Sequence, residues 1–137
     1  MKKLILVFLC IIAFSISNAQ DNNLKGDWNI IEFQKIINNE NSETTTEDQL
    51  REEGAIWDLF FMEDSSFKQT SNMLGNGTTN SQEGQWKTLE NNLMISIQIG
   101  GSNFDLNYSY DLQENVLVLT RTNPNGTMKV VAKFKKK

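Results

Sequence analysis

The chain has 137 residues, a formal net charge of −4, one cysteine and no histidine. The acidic balance disfavours nucleic acid and anionic membrane surfaces as partners. Without histidine there is no Ser-His-Asp set, no Cys-His pair and no histidine-rich metal site, so the common routes to nucleophilic and zinc chemistry are closed.

Residues 1–19 read as a secretion signal. Lys2 and Lys3 supply the positive start, and 4–16 is an apolar run of signal-peptide length, too short to span a bilayer. Ser17-Asn18-Ala19 puts small residues where a signal peptidase cuts, which predicts Gln20 as the new N-terminus. Cys10 does not read as a lipid anchor, because Leu9 precedes it and the apolar run continues past it. The leader removes that cysteine together with two lysines and no acid, so the net charge of −4 becomes −6. The remaining part of about 118 residues is enough for one domain, 20–137, and without a thiol it cannot form a disulfide. The expected location is periplasmic or extracellular.

Eight strands are predicted over that domain. The first covers 24–35 and breaks phase at Ile30-Ile31, which predicts a bulge. Residues 38–53 are polar and acidic. Thr46 with Gln49 three places later reads as a capping box opening a short helix, and a disordered acidic loop is the alternative. The second strand covers 55–62 and the third starts near Ser66. Asn76-Gly77 predicts a tight hairpin before a fourth strand running into Gln85-Trp86-Lys87-Thr88. Strands follow at 93–99, 104–111, 116–121 and 127–134. Asn123-Pro124-Asn125-Gly126 matches a type I turn place by place. In the second half, Leu93, Ile95, Ile97 and Ile99, then Phe104, Leu106, Tyr108 and Tyr110, then Met128, Val130, Ala132 and Phe134, alternate with mostly polar residues. That period of two describes sheets with one face in a core. Leu89-Glu90-Asn91-Asn92-Leu93 and Leu112-Gln113-Glu114-Asn115-Val116 repeat one hairpin pattern. Regular short strands and turns predict an antiparallel up-and-down barrel.

No chemistry-bearing cluster stands out along the chain. The glycines near Gly77 lack the lysine of a phosphate loop. Asp64, Glu52 and Glu53 are the carboxylates to consider, but the acids lack calcium-loop spacing and read as a solvated surface. No cofactor, metal site or enzymatic activity is therefore expected. The aromatics carry more information. An eight-stranded barrel has an interior that side chains fill or that holds one small ligand. Phe61, Trp86, Phe104, Leu106, Tyr108 and Tyr110 are predicted to face it, as core or as pocket walls. The two phenols are the strongest candidates for walls, since each could offer a hydroxyl to a ligand.

Gly26-Asp27-Trp28 at the first strand is similar to the Gly-x-Trp motif that opens lipocalins. The run Leu59-x-Phe61-x-x-Asp64-x-x-Phe67, with Gly84-Gln85-Trp86-Lys87-x-Leu89-x-x-x-Leu93-x-Ile95, resembles secreted lipocalin-like (calycin) domains of Bacteroidetes-type bacteria. The resemblance covers nearly the whole mature chain. It implies an eight-stranded barrel open at one end, with Trp28 closing the other and a late arginine packed across it. Arg121 is the only late arginine, so Gly26, Trp28 and Arg121 are expected to close the barrel. The implied function is binding of a small apolar or amphipathic molecule inside, the partners being that ligand and neither nucleic acid nor a membrane span. The alternative is a filled barrel that binds a protein through its loops, as an inhibitor or envelope accessory.

Overall fold

Turn chemistry decides where each strand ends. The computed structural model describes residues 21–73 and 77–137. The leader expected at 1–19 and Asn76 of the expected Asn76-Gly77 turn lie outside these residues. Among the described residues the strands are β1 (Gly26–Ile37), β2 (Glu40–Thr45), β3 (Trp57–Phe61), β4 (Ser66–Ser71), β5 (Asn80–Leu89), β6 (Asn92–Ile99), β7 (Ser102–Gln113), β8 (Val116–Thr122) and β9 (Met128–Lys136). A 3₁₀ turn, Asn22–Leu24, precedes β1, and the helix α1, Glu47–Glu52, separates β2 from β3.

Strands β3 to β9 pair antiparallel in sequence order, and β1 joins β3 to β9. The result is a closed, all-β, eight-stranded antiparallel barrel of lipocalin-like type, with one short helix. β1 pairs with β3 only through Gly26, Asp27, Trp28 and Asn29. On the same edge, farther along, it pairs with β2 from Phe33 to Ile37. β2 is thus a ninth strand laid on the part of β1 that β3 leaves free. It lies within the 38–53 stretch read above as helix or loop. The turn that makes it is Asn38-Asn39, with φ of 52° and 65°. Two consecutive left-handed residues build the tight hairpin turn whose twist matches paired strands, and asparagine tolerates that conformation. The capping box expected next is present. Gln49 N donates to Thr46 Oγ1, and Thr46 N donates to the Gln49 side chain at 2.9 Å. Buried Leu50 anchors the helix.

The bulge expected at Ile30-Ile31 is present, as a register shift between Ile30 and Glu32 against β9. It lets Trp28, Ile30 and Phe33 all pack toward the interior despite their broken spacing. The Asn123-Pro124-Asn125-Gly126 turn closes with Gly126 N donating to Asn123 O at 2.9 Å. The repeated hairpins turn at Glu90 and Glu114, both at positive φ. The β4–β5 ladder ends at Ser71 opposite Asn80. Just past it, the Asn72 side chain accepts from Ile56 N at 2.7 Å and donates to Gly54 O at 2.9 Å. Those bonds tie the chain to the start of β3 and away from β5.

The core is densest toward the end where β1 begins. Trp28, Phe61, Phe67, Trp86, Leu93 and Phe134 are all fully buried there, under Leu24. At Gly84 in β5 a Cβ would fall 1.8 Å from Ser96 O of the neighbouring strand. Only glycine permits that approach.

Candidate functional site

The two ends of the barrel treat their polar atoms differently, and that difference locates the site. At the closed end, Trp28 Nε1 donates to Leu24 O at 2.8 Å, and Trp86 Nε1 donates to Met62 O at 3.1 Å. The 3₁₀ turn seals this end. Asp21 N donates to Thr88 Oγ1 at 2.8 Å, and the Tyr110 hydroxyl donates to Asp21 Oδ2 at 2.9 Å. Tyr110, expected as a pocket wall, therefore spends its hydroxyl on a seal. Burial, then the bond to Asp21 and its charge, push its phenol up to about 12. Phe61 and Trp86, also expected as walls, are core instead. Their rings meet edge-on at 5.2 Å, and both lie at the filled end.

Trp28 is wholly buried, as its closing role requires. The cation over it is Lys136, whose Nζ lies 5.5 Å from the ring centroid. The expectation of Arg121 is corrected by strand direction. Trp28 pairs with Lys136 across β1 and β9, whereas β8 runs away from the closed end and sets Arg121 opposite Val130. Gly26 sits under the same lysine stem, with a φ of 128° that other residues rarely adopt, and a Cβ there would fall 2.9 Å from the movable Lys136 Cε.

At the other end the barrel is open. A cavity of about 540 Å³ lies there, lined on its apolar side by Phe33, Trp57, Met128 and Val130. Its polar side is made by Tyr108, Asn107, Arg121 and Thr122, with Asp105 and the 123–124 turn at the edge. The Arg121 guanidinium lies 6.0 Å from the Tyr108 ring centroid. Burial pushes the Tyr108 phenol up, against the charge of Arg121 and a side-chain hydrogen bond with it, which both pull it down. Behind this cavity the interior is polar and satisfied. Trp57 Nε1 donates to Gln69 Oε1 at 3.3 Å, and Gln69 Nε2 donates to Gln82. Among the described residues, Gln69 and Ser71 are the buried polar ones.

Of the six residues expected to line a pocket, the cavity is lined by Tyr108 alone. Leu106 packs on the edge of the core. Phe104 shares the inward phase of β7 and pairs with buried Ile97, yet it is 48% exposed. Inward phase does not mean burial there, because it stands toward the open end. Phe33, Trp57, Met128 and Val130 were missed as walls. Alternation in the last strand already put Met128 and Val130 on the inward face, and only closure of β1 on β9 could put Phe33 beside them.

No protein-family pattern matches this chain, and no curated protein matches it. Among solved structures it is similar to a lipocalin-like protein from Bacteroides uniformis, at 16% identity and a TM-score of 0.54, over 85% of this chain and 100% of that one. It is also similar to a mutant of the fluorescent protein UnaG, at 10% identity and a TM-score of 0.42, over 83% of this chain and 96% of that one. The first likeness establishes the lipocalin-like barrel fold. The second is too loose to add to it.

Proposed function

We propose that this protein is an exported, non-enzymatic lipocalin-like barrel that binds a small apolar or amphipathic molecule in its open half. The observation that carries the reading is the cavity of about 540 Å³, walled by Phe33, Trp57, Met128 and Val130 with a few polar groups at one side. That size and that mixture suit a small ligand held by apolar contact and oriented by a few hydrogen bonds. The leader 1–19 would deliver the barrel to the periplasm or the exterior, in the manner of the Bacteroidetes-type domains it resembles. Among the described residues no helix is long and apolar enough to cross a membrane.

A fluorescent fatty-acid analogue tests this directly. Trp57 lines the cavity, so saturable binding in the micromolar range should change tryptophan emission, and Tyr108→Ala should weaken it. Absence of binding by several apolar probes would overturn the reading. One observation favours a second reading, the protein-binding barrel. Ile37, Ile56, Ile99, Phe104 and Met128 are exposed apolar residues toward the open end, more than a solvated rim needs.

A further inference from the structure

The backbone ladder of the barrel wall is interrupted beside this cavity. The β7–β8 ladder runs from Gln113 opposite Val116 to Ser109 opposite Thr120, and stops. Both strands go on. β7 continues back to Ser102 in register with β6, and β8 continues to Thr122 in register with β9. The next pair in register would be Tyr108 with Arg121, and then Asn107 with Thr122. Neither pair is in the ladder, so backbone pairing between the two strands ends at the level of the cavity.

Two depressions meet in that gap. The inner one is the cavity described above. The outer one, of about 420 Å³, is lined by outward-facing residues such as Leu89, Met94 and Thr120. Asn107, Tyr108, Arg121 and Thr122 line both. The alternation of strands makes this informative. Asn107 and Thr122 have outward phase but reach the inner cavity, while Tyr108 and Arg121 have inward phase but reach the outer one. Arg121 is the one charged residue lining the outer depression. The inner cavity has Arg121 and Asp105. Asp105 is engaged on the outer face, where its carboxylate accepts from the Ser96 hydroxyl at 2.6 Å. Among the described residues no carboxylate lies within ion-pair distance of Arg121.

We infer that the β7–β8 gap is a lateral opening of the chamber, in which Arg121 holds the anionic group of an apolar acid whose body lies against Phe33, Trp57, Met128 and Val130. A guanidinium presents several donors in one plane and bonds a carboxylate or sulfonate through two of them. Its place in the gap lets the anion keep some solvent on the outer side, so charge need not be fully desolvated on binding. Asn107 and Thr122 flank the same opening with further polar groups. Tyr108 gives the guanidinium a neutral partner and no counter-charge, so an acid gains a charge-assisted bond there that a neutral molecule of the same length does not.

This inference rests on the proposed binding reading, and one comparison separates the two. Dodecanoate and dodecanol are titrated against the protein at a pH where the carboxylate is ionised. The wild type is expected to prefer the acid by about tenfold, the scale of one charge-assisted hydrogen-bonded pair. Arg121→Gln should bring the acid-to-alcohol ratio close to one, and Arg121→Lys should retain part of it. Asp105→Asn should raise the ratio, because it removes the opposing charge. Lys68→Gln, a basic residue on the outer face of β4, should leave the ratio as it is. If the alcohol binds as well as the acid, or if Arg121→Gln keeps the preference, the head-group assignment is wrong while the binding barrel stands. If neither compound binds, both fall.

Discussion

The closed and open halves of this barrel are built from the same aromatic residues and do opposite things with them. At the closed end, Trp28 and Trp86 bury their rings completely and give their indole N–H groups to backbone carbonyls of Leu24 and Met62. At the open end, Trp57 gives its indole N–H to a side chain, Gln69, and turns part of its ring toward a cavity. A backbone carbonyl is fixed by the ladder, so a ring bonded to it is fixed too. A glutamine can be reoriented. A satisfied, filled end lets the other end stay open and partly polar, since folding needs only one of them to be dense.

The largest break in that comparison should come from Trp28→Ala. It empties the filled end and orphans Leu24 O, and a loss of about 3–5 kcal/mol is expected, the range for truncating a core aromatic. Urea titration measures it, and a loss under about 1 kcal/mol would remove Trp28 from its closing role. Gln69→Leu attacks the open end instead. It leaves Trp57 Nε1 without an acceptor while keeping volume, so about 1–3 kcal/mol should be lost, the cost of an unpaired buried donor. If the two variants lose equal stability, the contrast between the halves is not energetic.

Tyr110→Phe sharpens the seal at the closed end by removing the hydroxyl bond to Asp21, at about 1 kcal/mol. It should also change the alkaline limb of stability. The folded phenol stands near 12, above the unfolded value of about 10. The unfolded chain therefore releases that proton first, and the contribution is complete below the unfolded value and lost as pH rises toward the folded one. Chemical denaturation at successive alkaline pH values should show a shallower fall for Tyr110→Phe than for the wild type. Lys136→Gln is the smallest step. A partly exposed ammonium over an indole is worth about 0.5–1 kcal/mol, so a difference larger than that would mean the lysine stem packs more of Trp28 than the charge does.

The legible part of the fold was the part governed by neighbours in the chain. Alternation placed the inward faces of β6, β7 and β9, the Thr46–Gln49 pair announced α1, and the broken phase at Ile30-Ile31 announced the bulge. Asn38-Asn39 was equally local and went unread as a hairpin because no glycine marks it. The candidate site was less legible, and Tyr108 and Arg121 show why. Phase alone put Tyr108 inward, correctly. Arg121 also lies on the inward phase, but which end of the barrel it serves depends on the direction of β8 and on which strand closes onto β1.

The order of residues was enough to specify short antiparallel strands and where most of them turn. Those properties follow from backbone sterics and a period of two, which need only residues a few places apart. Closing the sheet is what sets Lys136 over Trp28, bonds Tyr110 to Asp21 across 89 positions, and ends the β7–β8 ladder beside Arg121. Each depends on closing the sheet, where register and strand direction bring distant residues together, and no local pattern encodes where a ladder between two good strands will stop.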